Sequence, residues 1–267
     1  MRIPGARRLL VAFVVLGLAA LLAPRPARAA AEFVYRGITL PRGDVALDLG
    51  LGFGHAPIGN TDRSYNGFGM NLEIAGGLTH ELELGLRTGF RFDTDGQVTR
   101  ADGYGRTYET ETFGTGTDRV ANPELRLRWS VARGSVAQVG LEGRVYMPFE
   151  TGTRFGVMFA VPFVLHLGRV RVDTGLYVPL LYDPTRSAIS IPIHLWIQAT
   201  PSFWLGPLFG LRVSNPGSYD EYPFGFGMGW AMGRAIDLRT WILFPHLNGD
   251  QAARTFGAGL GLQIRFE

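Results

Sequence analysis

Apolar residues alternate with small or polar residues through nearly the whole chain from Gly43 onward. The stretch from Leu82 to Phe92 is the clearest, because leucine and phenylalanine occupy most alternate positions and Glu83, Arg87 and Arg91 lie between them. Successive side chains of a β-strand point to opposite faces, so a period of two predicts strands with one apolar and one polar face. A helix would mix charged and apolar residues on every face, which makes the helical interpretation untenable here.

Twelve such stretches follow one another, and the connections between them alternate in length. Five connections are short, such as Arg133-Gly134-Ser135. Six are longer, among them Gly54–Arg63 and Asp183–Ser187, and Asp93–Arg119 is the longest. Tight turns at one end and longer loops at the other are typical of outer-membrane barrels, whose short turns lie in the periplasm. We therefore predict an all-β fold: a transmembrane antiparallel up-and-down β-barrel of about 12 strands in residues 43–267, with short periplasmic turns and longer extracellular loops.

A secreted β-sandwich or a lipocalin-like barrel is the soluble alternative, with its apolar faces turned inward. Three features favour the membrane barrel. The apolar faces carry almost no charge within the strands, aromatic residues concentrate near strand ends, and many polar-face positions are glycine. A lipid-facing wall requires the first two features, and a crowded concave interior accounts for the third.

The N-terminus has the three parts of a secretory signal peptide. Arg2, Arg7 and Arg8 form a positive region, an apolar run follows, and Ala27-Arg28-Ala29 supplies the small residues that a signal peptidase requires. We predict a cleaved signal in residues 1–29, with cleavage after residue 31 as the alternative, then a periplasmic N-terminal segment in residues 30–42. Export of this kind, followed by a barrel, predicts the bacterial outer membrane as the location.

Charge and cysteine content narrow the function classes. The full chain carries a formal charge of +3, but five of its 26 basic residues and none of its 23 acids lie in the predicted signal, so the remainder carries 21 − 23 = −2. Bulk basicity therefore gives no reason to expect nucleic acid as a partner. The chain has no cysteine, which excludes disulfides and thiolate metal sites.

The segment Gly-Leu-Thr-His-Glu-Leu-Glu-Leu-Gly-Leu from Gly77 to Leu86, the polar-in and apolar-out hairpins and the last strand ending at Phe266 resemble proteobacterial outer-membrane barrels. The Gly77–Leu86 segment is most similar to the transporters of the MetA-pathway phenol-degradation type. The resemblance implies a barrel that reaches the outer membrane through the barrel-assembly machinery and functions in transport. The chain departs from such barrels at its end, where Glu267 follows the terminal aromatic residue.

The polar faces of the strands define the candidate site. The side chains that we predict to line the lumen are Glu83, Arg87, Arg91, Glu124, Arg126, Arg128, Glu142, Arg144, Tyr146, Arg171, Asp173, Tyr177, His194, Trp196, Arg212, Arg239 and Trp241. The same faces also carry Asp44, Asp48, Glu73, Glu81, Asp93, Asp237, Arg265 and Trp204. Acids and arginines nearly balance, so no ion selectivity follows.

These residues leave three functions open. A passive channel or transporter for small polar or aromatic solutes is our first prediction, and a closed structural barrel without transport is the alternative. An integral outer-membrane hydrolase has least support, because Ser190 and His194 lie about 13 Å apart on a strand, too far for a nucleophile and its base. We expect no catalytic residues, no metal and no cofactor, and we expect the lipid bilayer as the main partner.

Two local features carry separate expectations. Pro162 lies in the middle of a predicted strand, and a closed barrel has no free edge on which to place it, so we predict a β-bulge there. The Asp93–Arg119 loop has 27 residues, and loops of that length are either functional or disordered. We expect it to lie outside the barrel, with folding into the mouth as the alternative.

Overall fold

A computed structural model describes residues 32–57, 64–92, 120, 123–149, 155–182, 185–215, 222–244 and 254–267. The predicted signal peptide and the Asp93–Arg119 loop lie outside these ranges. None of the helices in the described ranges is long and apolar enough to span a membrane.

The described residues form twelve strands and one 3-10 turn, which spans Phe33–Tyr35. The strands are β1 (Val45–Pro57), β2 (Ser64–Gly77), β3 (Leu82–Arg91), β4 (Glu124–Arg133), β5 (Ala137–Tyr146), β6 (Gly156–Leu167), β7 (Val170–Tyr182), β8 (Thr185–Thr200), β9 (Phe203–Asn215), β10 (Phe224–Met232), β11 (Ile236–Phe244) and β12 (Phe256–Phe266). Each strand pairs antiparallel with the next, and β1 pairs with β12, from Val45 opposite Phe266 to His55 opposite Phe256. The sheet is therefore a closed barrel, as predicted.

The outward face of the barrel is apolar and exposed, because alternation turns every second residue away from the interior. Its exposed members include Leu84, Leu86, Leu125, Leu127, Trp129, Ile189, Ile191, Ile193, Phe224, Phe226, Met228 and Trp230. A continuous apolar surface of this kind on a water-soluble monomer would be unusual, since such patches normally mark contact with another apolar phase. The barrel thus has the polarity of a membrane protein, with its charged residues inside.

The predicted bulge at Pro162 was wrong. Pro162 pairs with Gly175 in an unbroken β6–β7 ladder, and β5 and β6 keep one register on both sides of the proline. The proline ring is accommodated because Gly140 of β5 lies beside it: a Cβ there would stand 3.1 Å from the Pro162 side chain. The register shifts occur instead between Ser130 and Ala132 and between Gln198 and Thr200.

Several strands extend into residues that were predicted as loops. β1 continues to Pro57, inside the predicted Gly54–Arg63 loop, and β8 begins at Thr185, inside the predicted Asp183–Ser187 loop. In both places the backbone ladder continues with the neighbouring strand although the alternation of side chains weakens, since pairing needs backbone groups and not a particular side chain.

Candidate functional site in the barrel lumen

An ion-pair layer crosses the interior along β2–β5. Arg126 of β4 pairs with Glu73 of β2 at 2.8 Å and with Glu83 of β3 at 2.6 Å. All three side chains are at most 7% exposed. Buried charges are tolerated only when they are paired and hydrogen-bonded, and here one arginine bridges three strands.

Glu142 of β5 is the centre of the second half of this layer. Its carboxylate accepts from Arg128 at 2.5 Å and from Arg144 at 2.6 Å, and its side chain is fully buried. Arg144 also pairs with Glu124 at 3.4 Å. We define the ion-pair layer by the seven residues Glu73, Glu83, Glu124, Arg126, Arg128, Glu142 and Arg144. Each of its members has a partner on a barrel strand.

The opposite side of the lumen is aromatic. Its large buried side chains are Trp196, Trp204, Leu208, Trp241 and Leu243, which pack as one cluster. Glycines of β10 and β12 make room for the rings: a Cβ at Gly229 would overlap Trp204, one at Gly259 would overlap Trp241, and one at Gly227 would crowd Trp196. The glycines therefore let three bulky side chains lie flat against the wall.

Residues 32–42, the N-terminal segment, lie inside the barrel at the short-turn end. The segment includes the 3-10 turn, and its Val34 side chain is completely buried although it belongs to no strand. Its contacts with the wall are Val34 N–H to Gln198 Oε1 (3.3 Å), Ile38 N–H to Gln138 Oε1 (3.0 Å), Leu40 N–H to Glu83 Oε2 (2.8 Å), Arg128 Nη1 to Ile38 O (3.1 Å), Arg171 Nη1 to Phe33 O (3.4 Å) and to Arg36 O (2.6 Å), His166 Nδ1 with Val34 O, and Arg133 Nη2 to Thr39 Oγ1.

Phe33 places an aromatic ring against the tryptophan wall. Its ring stacks on Trp204 with centroids 4.5 Å apart and planes 5° apart, and it meets Trp196 edge-on at 5.7 Å. The guanidinium carbons of Arg171 and Arg239 stand 5.2 Å and 5.9 Å from the ring centroid. We call the space enclosed by these four wall residues the aromatic slot. Stacking and cation–π contacts hold Phe33 in it.

Arg36 anchors the segment by charge. Its guanidinium pairs with Asp237 of β11, whose side chain is fully buried and also receives Arg239 at 3.5 Å and Arg265 at 3.3 Å. Burial lowers the pKa of Arg36 to about 10, against the opposing effect of Asp237, so the residue is still charged at neutral pH. Arg36 is therefore a cation from the segment that enters an otherwise strand-built cluster.

The predicted lumen residues whose side chains are described are all buried or half-buried. Buried among them are Glu83, Arg87, Arg126, Glu142, Arg144, Tyr146, Arg171, Tyr177, His194, Trp196, Arg212 and Trp241. Half-buried among them are Glu124, Arg128, Asp173 and Arg239. Arg91 belongs to β3, and its side chain lies outside the described part of the chain. No group of His, Asp and Glu among the described residues could hold a metal ion.

The sequence predicts residues 30–42 as a periplasmic segment, but it does not predict that residues 32–42 contact the inner wall of the barrel. Phe33 and Arg36 make the main side-chain contacts of this segment, but they belong to a short stretch without periodicity, so no pattern marks them. Arg133 was missed for a different reason: regular alternation turns it outward, and the register shift after Ser130 lets it reach Thr39 inside. The contacts of Gln138, His166 and Gln198 could not be predicted from the sequence either, because their partners are backbone groups of the segment.

The fold is shared with solved outer-membrane channels. The chain resembles the COG4313 outer membrane channel from Pseudomonas putida F1, with a TM-score of 0.61 and 12% identity over 91% of this chain and 100% of that one. It also resembles the NanC porin (TM-score 0.58, 7% identity, 82% of this chain and 98% of that chain). A KdgM porin in complex with disordered oligogalacturonate gives a TM-score of 0.55 and 8% identity, over 83% of this chain and 99% of that chain.

These likenesses establish the fold: a closed antiparallel barrel of twelve strands of the outer-membrane porin type. No protein-family model matches the chain, and neither does any curated protein. The narrower resemblance to the MetA-pathway phenol-degradation type is not shown by these comparisons.

Proposed function

We propose that the protein is a passive channel of the bacterial outer membrane for small polar or aromatic solutes, and that the N-terminal segment closes its short-turn end. The observation that carries the proposal is that this segment lies inside the lumen, against the inner wall, without being part of the wall. The barrel closes through β1 and β12 alone, and residues 32–42 add no strand to it.

The segment is held by contacts that can be exchanged for water or solute. Its backbone bonds side chains of the wall, and several of those side chains have a second partner on a strand: Glu83 keeps Arg126, and Arg128 keeps Glu142. Withdrawal of the segment therefore costs hydrogen bonds but breaks no ladder pair. The short turns are predicted to lie in the periplasm, which supports a closure on the periplasmic side.

The apolar outer face and the similarity to channels support the outer membrane as the location and the lipid bilayer as the partner. The exported chain would reach that membrane through the barrel-assembly machinery. The mixed charge and the tryptophans of the lumen suit small polar or aromatic solutes better than long apolar ones, since a wholly apolar ligand would remove water from the charged groups without offering them a hydrogen bond.

Because the chain has no cysteine, a pair of introduced thiols can be cross-linked selectively to hold the segment against the wall. Ile38→Cys and Gln138→Cys place two thiols where the Ile38 N–H meets the Gln138 side chain. We expect single-channel conductance in planar bilayers to fall when a short bis-maleimide links the pair, and to stay unchanged when either single variant is treated. Deletion of residues 32–42 is expected to raise the conductance. A barrel that conducts equally in the free, linked and deleted forms would contradict closure by the segment.

A closed structural barrel is the second candidate, favoured by the ion-pair layer. Seven charged residues bridge β2–β5 across the interior, and most are nearly inaccessible. The same recordings separate the two functions. A folded barrel without any conductance, even after deletion of residues 32–42, would exclude the channel and leave the closed barrel.

A further inference from the structure

Phe33 shows what the aromatic slot can bind. The segment places two groups against the wall at this point: a flat ring on Trp204, and carbonyl oxygens in front of Arg171 Nη1, 2.6 Å away for Arg36 and 3.4 Å for Phe33 itself. In phenylalanine two carbon atoms separate the ring from the carbonyl carbon. A ligand in which two carbons join an aromatic ring to a carboxyl carbon would therefore reproduce the stacking on Trp204 and the contact of the Phe33 carbonyl with Arg171 Nη1.

The slot does not depend on the segment for its shape. Trp196 and Trp204 belong to β8 and β9, and their rings lie against Gly227 and Gly229 of β10, where a Cβ would strike them. Arg171 is fixed from its other side, because its Nε donates to Asp173 at 2.7 Å. Once Phe33 leaves, the ring-binding surface and the cation beside it remain in place.

Withdrawal of the segment removes the carbonyl oxygens that accept hydrogen bonds from Arg171 Nη1. This group donates to two backbone carbonyls of the segment, so after withdrawal it must find its acceptor in water or in a ligand, because a guanidinium N–H without an acceptor is costly. A carboxylate satisfies this group better than a neutral oxygen, since hydrogen bonds between ionised partners are roughly twice as strong. The chemistry of the slot therefore selects an aromatic ring joined to an oxyanion.

We propose that the aromatic slot of Trp196, Trp204, Arg171 and Arg239 is a binding site for small aromatic carboxylates, which compete with Phe33 and so displace the N-terminal segment. The proposal rests on the proposed channel function for its biological meaning, but the site itself can be tested without conduction. Because ligand and Phe33 exclude each other, the apparent affinity of the ligand depends on the fraction of molecules whose slot is vacant.

The test measures ligand binding to the folded protein in detergent. Binding is detected by quenching of tryptophan fluorescence and, independently, by calorimetry. The probe is 3-phenylpropanoate, which has the spacing found in Phe33. Two matched compounds each lack one feature: 3-cyclohexylpropanoate has no aromatic ring, and 3-phenylpropanamide has no charge. We expect both to bind at least fivefold more weakly than the probe, a loss of the size that stacking and charge assistance provide.

Two variants distinguish specific binding in the aromatic slot from nonspecific binding elsewhere on the barrel. Phe33→Ala removes the competitor and is expected to tighten 3-phenylpropanoate by about tenfold. Arg171→Gln is expected to weaken it by about tenfold and to abolish the preference over the amide. Arg169→Gln, an exposed arginine two residues away in the turn, is the matched control and should leave binding unchanged.

Equal binding of the cyclohexyl compound, or an affinity that Phe33→Ala does not change, would overturn the proposal. Planar-bilayer recordings then distinguish this failure from failure of the channel. Conductance with no selective binding leaves the channel and removes the site, whereas selective binding to a barrel that never conducts leaves the site and removes the channel.

Discussion

The ion-pair layer and the aromatic slot are built from similar residues but differ in where their partners come from. In the ion-pair layer every charge pairs with another strand, as Arg126 does with Glu73 and Glu83. In the aromatic slot the central ring, Phe33, comes from a segment outside the ladder. Contacts of the first kind can be lost only with the barrel, whereas contacts of the second kind can be exchanged while the barrel stays folded. The lumen thus combines a permanent wall with a replaceable filling.

The largest effect is expected from the ion-pair layer. Glu142→Ala leaves the buried guanidinium groups of Arg128 and Arg144 without their shared carboxylate, and breaking a buried pair in this way costs about 3–5 kcal/mol. The free energy of unfolding, measured by urea titration in lipid vesicles, should fall by that order. Glu81→Ala removes an exposed acid from a turn and serves as the control, with no measurable loss expected. Equal losses in both variants would show that the layer is not a stabilising unit.

A smaller loss is expected where the wall supports the slot. Gly229→Ala places a Cβ in the position of the Trp204 ring, so the ring must move and the variant should lose about 1–3 kcal/mol. Gly143→Ala is the control, because its Cβ would meet no atom within 4 Å. Near-ultraviolet circular dichroism should change for the first variant only. An unchanged spectrum in both would mean that Trp204 is not held by its glycine.

The two regions also differ in how far the sequence predicts them. The barrel was predicted from alternation, since a period of two reports directly which side chains share a face. The same alternation turned the charges of the ion-pair layer inward, as it did for Glu83, Arg126 and Glu142. It could not identify which charges pair, because pairing depends on the register between strands that are adjacent only after folding.

The aromatic slot could not be predicted from the sequence, for a more basic reason. Its occupant, Phe33, belongs to the N-terminal segment, which has no period. The carbonyls of Val34 and Arg36 in that segment bond side chains more than 130 residues away. Nothing in the composition of residues 32–42 distinguishes a filling of the lumen from a linker. The error at Pro162 has a similar origin, since the glycine that accommodates the ring lies on another strand.

Loosening the segment should change conduction more than stability. Arg36→Ala removes the ion pair with Asp237 but leaves that carboxylate with Arg239 and Arg265, so no buried charge is left alone. The loss of about 1.5–3 kcal/mol for hydrogen bonds to a charged group falls on docking of the segment. Single-channel open probability should rise at least tenfold, while the urea midpoint of the barrel stays within error.

The matching contrast for that variant is Glu142→Ala, which should lower the midpoint without opening the channel. If Arg36→Ala lowers the midpoint as strongly as Glu142→Ala does, the segment is part of the cooperative fold. The distinction between a permanent wall and a replaceable filling would then be lost.

The smallest effect is expected at Thr39, near the end of the segment that joins the barrel. Its hydroxyl accepts from Arg133 and donates to the backbone carbonyl of His80 at 3.4 Å, and the side chain is 6% exposed. Thr39→Val keeps the shape and removes both bonds, which should weaken docking by about 0.5–1.5 kcal/mol. Arg133 retains the Ser130 hydroxyl at 3.0 Å, so the loss stays near the lower bound. Open probability should rise about threefold, well below the effect of Arg36→Ala. A larger rise for Thr39→Val than for Arg36→Ala would place the main anchor of the segment at its barrel end and not at the Arg36–Asp237 ion pair.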